Sequence, residues 1–321
     1  MFSLVLYLIL KRLSNDNKSV KIFTYYKIAE KLMDINEKCS LCPKNCNADR
    51  TKTAGACGEK NMMRIAKYYL HPYEEPFISG TNGSGTVFFT GCSLKCRFCQ
   101  NFILSRSQTG KEITPLELAD IFKELENAGA HNINLVTPTH FLPQIYQAVK
   151  LRRPNVPIVY NTHGYEKEES LRLADKFVDV YLPDFKYFSE QTALRYSGAK
   201  DYPEICKAAI THMMREKKTQ IENGLIVSGV CVRHLILPLN VQNSIDVVDW
   251  FIKNREGGAY FSLMAQYTPF GDIKDYPELN RKITAREYER VADHLLNSEI
   301  EECFIQKRTS ASESFIPKWD F

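Results

Sequence analysis

From Thr86 onward, short apolar runs alternate with longer amphipathic segments along the chain. Runs rich in β-branched and aromatic residues predict strands, and the longer segments between them predict helices. Strands that are joined by helices in this way are typical of a parallel sheet. The predicted strands are Thr86–Phe89, Ile133–Val136, Ile158–Tyr160, Val178–Leu182, Cys231–Leu237 and Tyr260–Met264.

One helix carries a complete start signal. Thr114 is placed to cap it, Pro115 suits its first turn, and Glu117 completes a capping box. The apolar residues that follow recur at helical spacing, and Gly129 predicts the end of the helix.

Six consecutive strand–helix units favour an α/β fold, a partial (β/α)6 TIM-like barrel rather than a doubly wound sheet. We expect residues 1–60 to form a small N-terminal cysteine-rich segment with one helix around Tyr25–Met33, and residues 61–321 to form the core domain. The polar stretch Lys217–Asn223 is the nearest feature to a linker.

The overall composition is that of a globular enzyme, with 44% hydrophobic and 25% charged residues among 321. The net charge of +4 arises from 42 basic and 38 acidic residues that are interspersed, which argues against a nucleic-acid partner. The apolar stretch Met1–Leu10 is too short for a membrane span and lacks the features of a signal peptide. We therefore expect a cytoplasmic, reducing location, with organellar targeting as the weaker alternative.

The ten cysteines fall mostly into two tight groups, which favours metal binding over a disulfide framework. Cys92, Cys96 and Cys99 follow directly after the first predicted strand. A structural zinc site needs four ligands, whereas an iron–sulfur cubane held by three thiolates leaves one iron open to a small molecule. The alternative is a zinc site that a distant residue completes.

The spacing Cys92-x3-Cys96-x2-Cys99, with the aromatic Phe98 before the last cysteine, resembles the signature of the radical S-adenosylmethionine (SAM) superfamily. The resemblance implies a [4Fe–4S] cluster on these cysteines, with Phe98 in the cofactor site. It also implies that bound SAM is cleaved reductively to a 5′-deoxyadenosyl radical, which abstracts hydrogen from a substrate. An electron donor such as ferredoxin or flavodoxin would be required.

Further motifs are similar to one branch of that superfamily, the pyruvate formate-lyase activating enzyme-like proteins. In that branch the hydrogen would come from a glycyl residue of a partner enzyme. The motifs are His71, Glu74-Glu75-Pro76, the glycine-rich stretch Ser79–Gly85, and Cys99-Gln100-Asn101.

In barrels of this kind the functional groups gather at the carboxyl ends of the strands. Many superfamily members carry a Gly-Gly-Glu stretch after the second strand, where this chain has Thr137 to His140, so other acceptors must hold the cofactor's amino group. The remaining cofactor-binding candidates follow from position and from the resemblance. The complete set of candidates at strand ends is Thr137, Thr139, Asn161, Asp184, Lys186, Arg233 and Gln266.

Several of these residues also have an alternative, purely structural interpretation. Asp184 and Lys186 could form an exposed ion pair, and Arg233 a buried one. Three histidines are weaker candidates, of which His234 is expected in the core and His140 and His163 near the site. Cys206, Cys231 and Cys303 are expected to be buried thiols without a role.

The N-terminal group of Cys39, Cys42, Cys46 and Cys57 offers four thiolates, enough to close a metal site. Zinc and a second [4Fe–4S] cluster both suit such ligands, and the third alternative is that the group binds no metal.

Three functions remain open at this point. The first is a glycyl-radical activating enzyme, and the second is a radical enzyme that modifies a peptide or a small molecule. The third is a non-catalytic zinc-binding interaction module. For either enzyme, the polar, turn-rich stretch 270–282 is a candidate lid.

Overall fold

The computed structural model describes residues 38–298 and 300–311. The predictions for residues 1–10 and for the helix around residues 25–33 lie outside the described residues.

Ten strands are present in the described part of the chain. They are β1 (Met63–His71), β2 (Ser84–Phe89), β3 (Lys111–Ile113), β4 (Ile133–Val136), β5 (Ile158–Thr162), β6 (Val180–Pro183), β7 (Gln220–Glu222), β8 (Leu225–Leu235), β9 (Tyr260–Met264) and β10 (Cys303–Ile305).

The helices lie mainly between the parallel strands. They are α1 (Pro76–Ser79), α2 (Phe102–Arg106), α3 (Pro115–Asn127), α4 (Leu142–Leu151), α5 (Glu168–Ala174), α6 (Glu190–Ser197), α7 (Tyr202–Glu216), α8 (Val241–Asn254) and α9 (Ala285–Leu296).

The strands form one sheet in the order β10-β9-β8-β6-β5-β4-β2-β1-β3, and β7 pairs with β8. In that order, every pair of neighbours between β10 and β2 is parallel, whereas β1 runs antiparallel to both β2 and β3, and β7 runs antiparallel to β8. The sheet is not closed, since β10 and β3 lie at its two ends. The prediction of a partial TIM-like barrel is therefore confirmed, with all six predicted strands as consecutive parallel neighbours.

The predicted capping signal is also confirmed. The Thr114 hydroxyl accepts from the Glu117 N–H, and the Glu117 carboxylate accepts from the Thr114 N–H. Helix α3 ends at Asn127, and Gly129 follows with a φ of 90°.

The linker prediction at Lys217–Asn223 is wrong. Residues 220–222 form β7, which turns directly into β8. Asn223 and Gly224 have φ values of 51° and 80°, and positive φ at both central residues suits a tight two-residue hairpin. The stretch is polar because β7 is an exposed edge strand, so its composition resembles that of a linker.

Two apolar cores lie on opposite faces of the sheet, because successive strand residues point to opposite sides. The larger core packs the sheet against the outer helices. The smaller core lies on the inner face, where Phe77 and Ile78 of α1 contact strand residues such as Val159 and Leu182. Helix α1 therefore fills part of the barrel interior and forms the floor beneath the strand ends.

In the described part of the chain, no helix is both long enough and apolar enough to span a membrane.

Candidate active site

The loop after β2 is held in one shape by backbone hydrogen bonds. Gly91 has a φ of 78°, and a Cβ atom there would lie 2.5 Å from Cγ of Glu59, so the position requires glycine. The Cys92 N–H donates to the carbonyl of Cys57 (3.0 Å), and the Arg97 N–H donates to that of Tyr196 (2.9 Å).

This loop brings three thiols to one cavity. Cys92, Cys96 and Cys99 line a cavity of about 220 Å³ at the carboxyl ends of the parallel strands. Phe98 also lines it and packs edge-on against the rings of Tyr187, Tyr196 and Tyr267, with centroids 6.1–6.3 Å apart. The arrangement places soft metal ligands at the edge of a space that a small molecule can enter.

The environment of Cys92 and Cys99 opposes the ionisation of these two thiols. Burial raises the pKa of Cys92 to about 11 and that of Cys99 to about 12, and neighbouring thiols add to the rise. The ammonium of Lys186 acts in the opposite direction on both. Cys92 and Cys99 are therefore neutral at pH 7 and would become thiolates only beside a strong cation.

Arg233 is the centre of a polar network on the inner face of the sheet. Its guanidinium donates to Asp184 (2.8 Å), Glu74 (3.0 Å) and Asn161 (2.6 Å). Lys186 donates to the second oxygen of Asp184 (2.5 Å). All five residues line the same cavity as the cysteines. The network therefore brings together the predicted Asn161, Asp184, Lys186 and Arg233.

The charges in this network stabilise each other. Burial alone would raise the pKa of Asp184, but Arg233 and Lys186 outweigh burial and hold it below its ordinary value. Burial would lower the pKa of Lys186, yet the Asp184 carboxylate raises it. For Glu74 burial is the larger effect, so its pKa is raised despite Arg233. The interpretation of Asp184 and Lys186 as an exposed ion pair is wrong, because both are largely buried.

The two threonines after β4 are placed differently. Thr137 lines the cavity with a φ of 57°, and its N–H donates to the Asn161 carbonyl (2.9 Å). The Thr139 hydroxyl instead donates to the buried carboxylate of Glu166 (2.6 Å), behind the cavity wall.

The three candidate histidines are buried and differ in exposure to the cavity. His163 lines the cavity and hydrogen-bonds to Ser93 through Nε2 (3.1 Å). His140 donates from Nε2 to the Thr90 carbonyl (2.7 Å), outside the cavity lining. Burial lowers the pKa of both to about 3. His234 lies in the core between the Phe185 carbonyl and Ser244, as predicted.

Gln266, after β9, also lines the cavity. Its side-chain oxygen accepts from Gln306 (3.2 Å), and its carbonyl accepts from Gln100 (3.5 Å). The candidate lid, residues 270–282, packs on the cysteine loop, where the Asp272 N–H and carboxylate contact Arg97.

The decisive comparison is with known families. Residues 86–250, just over half of the chain, match the radical SAM superfamily. The chain belongs to the radical SAM superfamily. It is therefore an enzyme of this class, for which the family implies a [4Fe–4S] cluster and SAM.

Two relatives in Methanocaldococcus jannaschii are uncharacterized proteins. MJ0674 is 29% identical over 89% of this chain and 84% of its own length. MJ0808 is 23% identical over 77% of this chain and 75% of its own length. Neither name states a substrate.

Solved radical SAM structures resemble the chain more distantly. SuiB of Streptococcus suis bound to SAM is 15% identical, with a TM-score of 0.46, over 67% of this chain and 47% of SuiB. A domain of pyruvate formate-lyase activating enzyme from Bacteroides vulgatus is 12% identical, with a TM-score of 0.33, over 60% of this chain and 91% of that domain. This chain spans less than half of SuiB, and at these scores neither likeness carries a functional argument.

The thiols and charged groups that line the cavity are chemically suited to bind the cofactors of a radical SAM enzyme. Among residues 38–298 and 300–311, no three His, Cys, Asp or Glu side chains are arranged to hold a single metal ion. A cubane makes a different demand, because each thiolate binds a different iron. Three thiols at the edge of a polar cavity meet that demand, and the cavity offers both charges that an amino-acid group needs.

The N-terminal cysteine group adjoins the cysteine loop through Cys57. Cys39, Cys42 and Cys57 are buried and Cys46 is exposed. A Cβ atom on Gly55 would lie 3.4 Å from Sγ of Cys46 and 3.5 Å from Sγ of Cys57, so these two thiols flank the glycine. The hydrogen bond from Cys92 to the Cys57 carbonyl joins this group to the cysteine loop.

Sequence reasoning did not assign Glu74, Glu75 or His71 to the site, although all three line the cavity. They precede β2, so no strand end drew attention to them. The adjacent acidic pair before Pro76 could have indicated a site. It indicates one only when α1 is known to fold into the barrel.

Proposed function

We propose that Cys92, Cys96 and Cys99 hold the [4Fe–4S] cluster and that the adjoining cavity binds SAM. The proposal rests on one observation, which is that three thiols and a charged network line the same cavity. When bound, the cluster and SAM supply a 5′-deoxyadenosyl radical that abstracts hydrogen from the substrate. The protein's part is to orient SAM and to exclude water.

The charged groups suggest how the amino-acid end of SAM is held. The Lys186 ammonium suits a carboxylate, and the carboxylate of Asp184 and the oxygen of Asn161 suit an ammonium. Arg233 fixes the positions of both acceptors, since it donates to each of them. Thr137 and Gln266 are proposed to contact SAM from the ends of β4 and β9, and Phe98 from the cysteine loop.

The substrate that we favour is a glycyl residue of a partner enzyme, with ferredoxin or flavodoxin as the electron donor. This rests on the motif resemblance to the activating-enzyme branch. Modification of a peptide or a small molecule is the alternative. Membership of the radical SAM superfamily argues against the non-catalytic zinc-binding module.

Cluster binding is tested by anaerobic reconstitution with iron and sulfide, followed by metal analysis and electron paramagnetic resonance. We expect a reduced cluster signal that shifts on addition of SAM, and its loss in Cys96→Ala. Cys303→Ala is the matched control, because this thiol lies on β10 and is not among the residues that line the cavity. An unchanged signal in Cys96→Ala would contradict the assignment.

We further propose that Cys39, Cys42, Cys46 and Cys57 bind a second metal, either zinc or a second [4Fe–4S] cluster. The thiols of Cys46 and Cys57, which flank Gly55, support the proposal, although among the described residues the four thiols are not arranged as a ready site for a single ion. Metal analysis of a Cys92→Ala/Cys96→Ala/Cys99→Ala variant isolates this group. One zinc or four irons would support the proposal and identify the metal, and a metal-free protein would overturn it.

A further inference from the structure

The cysteine loop and the N-terminal segment beside it carry an excess of positive charge. Residues 38–60 and 91–110 together contain eight lysine or arginine residues and two acidic residues, whereas the whole chain contains 42 basic and 38 acidic residues. Of the two acids, Glu59 is buried and accepts from the Thr90 hydroxyl (2.8 Å), and Asp49 pairs with Lys52. Neither acid therefore neutralises the remaining cations at the surface.

Three of these cations, Lys60, Lys95 and Arg106, form what we call the basic surface. Arg106 donates to the Lys95 carbonyl (2.8 Å), and a Cβ atom on Gly58 would lie 3.8 Å from Nζ of Lys95. Lys60 is exposed two residues after Gly58. In residues 38–298 and 300–311, none of the three cations forms an ion pair. The basic surface therefore presents positive charge that no side chain in this part of the chain offsets.

The basic surface adjoins the proposed cluster site and lies outside the cavity. Lys95 directly precedes Cys96, which is 7% exposed, so one residue of backbone separates the cation from a proposed cluster ligand. None of the three cations lines the cavity. SAM and a substrate would occupy the cavity, which leaves the basic surface available to a different partner.

An apolar side chain is exposed beside the cations. Ile103 is 41% exposed and lies three residues before Arg106 in α2, so the two side chains share a face of the helix. The surface thus combines positive charge with an apolar point of contact. A flavodoxin has negative charge around the apolar edge of its flavin ring, so the two surfaces are complementary in both respects.

We propose that a flavodoxin docks on the basic surface and reduces the cluster from outside the cavity. This rests on the proposed function, because it names the electron donor for the same cluster. In each transfer the reduced flavin gives one electron to the cluster and is itself oxidised by one electron. Docking outside the cavity allows the electron donor and the partner that carries the glycyl residue to bind at the same time.

The first test measures the binding of oxidised flavodoxin to the full-length protein by isothermal titration calorimetry, before and after reconstitution with iron and sulfide. Binding should weaken as ionic strength rises, because salt screens exposed charges. Lys95→Glu should weaken binding by about tenfold, since like charges would then face each other, and Lys60→Glu should act in the same direction.

Lys253→Glu is the matched control for the charge change. Lys253 is exposed in the last turn of α8. This helix runs from the carboxyl end of β8 to the amino end of β9, so Lys253 lies at the opposite end of the barrel from the cysteine loop. Its replacement should leave flavodoxin binding unchanged.

The second test follows reduction of the reconstituted cluster by stopped-flow absorbance. The reductants are reduced flavodoxin and photoreduced deazaflavin, which is small and uncharged. Lys95→Glu should slow reduction by flavodoxin by about tenfold and leave both the iron content and reduction by deazaflavin unchanged. The comparison separates loss of docking from damage to the cluster.

Equal flavodoxin binding by wild type, Lys95→Glu and Lys60→Glu, or no binding by wild type at low salt, would overturn the proposal. Slower reduction of Lys95→Glu by both reductants would also overturn it, because the lysine would then support the cluster. Tighter binding of a ferredoxin, weakened by the same changes, would overturn the assignment to a flavin carrier. A wild type that flavodoxin reduces but that does not cleave SAM would contradict the proposed function and still support the docking surface.

Discussion

Arg233 illustrates how far single residues could be interpreted from the sequence. A charged residue within an apolar strand predicted either a cofactor contact or a buried ion pair. The structure confirms that Arg233 forms ion pairs with Glu74 and Asp184. All three residues line the cavity. Its partner Glu74 could not be predicted, because the two residues are 159 positions apart and meet only through the folding of α1 into the barrel.

Loss of Arg233 should be strongly destabilising. Arg233→Met removes the cation that pairs with the buried Glu74 carboxylate and leaves Asp184 only Lys186, and breaking a buried ion pair costs about 3–5 kcal/mol. Urea denaturation should show this decrease in the free energy of unfolding. Arg152→Ala breaks an exposed ion pair with Asp120 and should cost less than about 1 kcal/mol. Similar effects of the two changes would contradict the account.

Glu166 should make stability depend on pH. Burial raises the pKa of this carboxyl group to about 7. Its unfolded pKa is about 4.3, so the folded protein binds the proton more tightly. The resulting stability is complete at low pH and is lost as pH rises through about 7.

Between pH 5 and pH 8, Glu166 should therefore lower the free energy of unfolding by on the order of 2 to 3 kcal/mol. The measurement is urea denaturation at both pH values for wild type and Glu166→Gln. The amide cannot ionise, so the variant should lose that much less stability over this range. Parallel pH dependence in the two proteins would contradict the assignment.

At the scale of elements, six parallel strands could be predicted because each is a buried apolar run with a helix after it, whereas the pattern did not predict β10, which is three residues long and only half-buried. The pattern did not predict the antiparallel strands β1, β3 and β7. In β1, buried and exposed positions are mixed around Lys67 and Tyr68, and β3 and β7 are three residues long. Such short edge strands depend on their partners rather than on their own sequence.

Helix α1 should contribute much of the stability of the barrel interior. Phe77 is 5% exposed and packs against Tyr260 (5.0 Å) and Phe304 (4.8 Å), measured between ring centroids. Phe77→Ala should cost about 3–5 kcal/mol in urea denaturation. Leu116→Ala, at an exposed position of α3, is the control and should change stability little. A cost below about 1 kcal/mol for Phe77→Ala would indicate that α1 is not packed as described.

At the scale of the whole molecule, the N-terminal cysteine segment and the barrel are joined next to the active site. Arg50 is 1% exposed and donates to the carbonyls of Glu59 (3.3 Å), Lys60 and His140 (2.5 Å). The predicted boundary at residue 60 remains a prediction. The motif Cys92-x3-Cys96-x2-Cys99 was sufficient to predict the superfamily and the cavity edge, whereas the cavity floor required the tertiary structure.

We propose that this chain cleaves SAM reductively at a cluster held by Cys92, Cys96 and Cys99. The most direct measurement is the amount of 5′-deoxyadenosine formed after anaerobic reconstitution with iron and sulfide, addition of a strong reductant, and incubation with SAM. We predict product from the wild type and from Cys303→Ala, and none from Cys96→Ala. Absence of 5′-deoxyadenosine from a wild-type protein that carries its iron, or undiminished product from Cys96→Ala, would contradict the account.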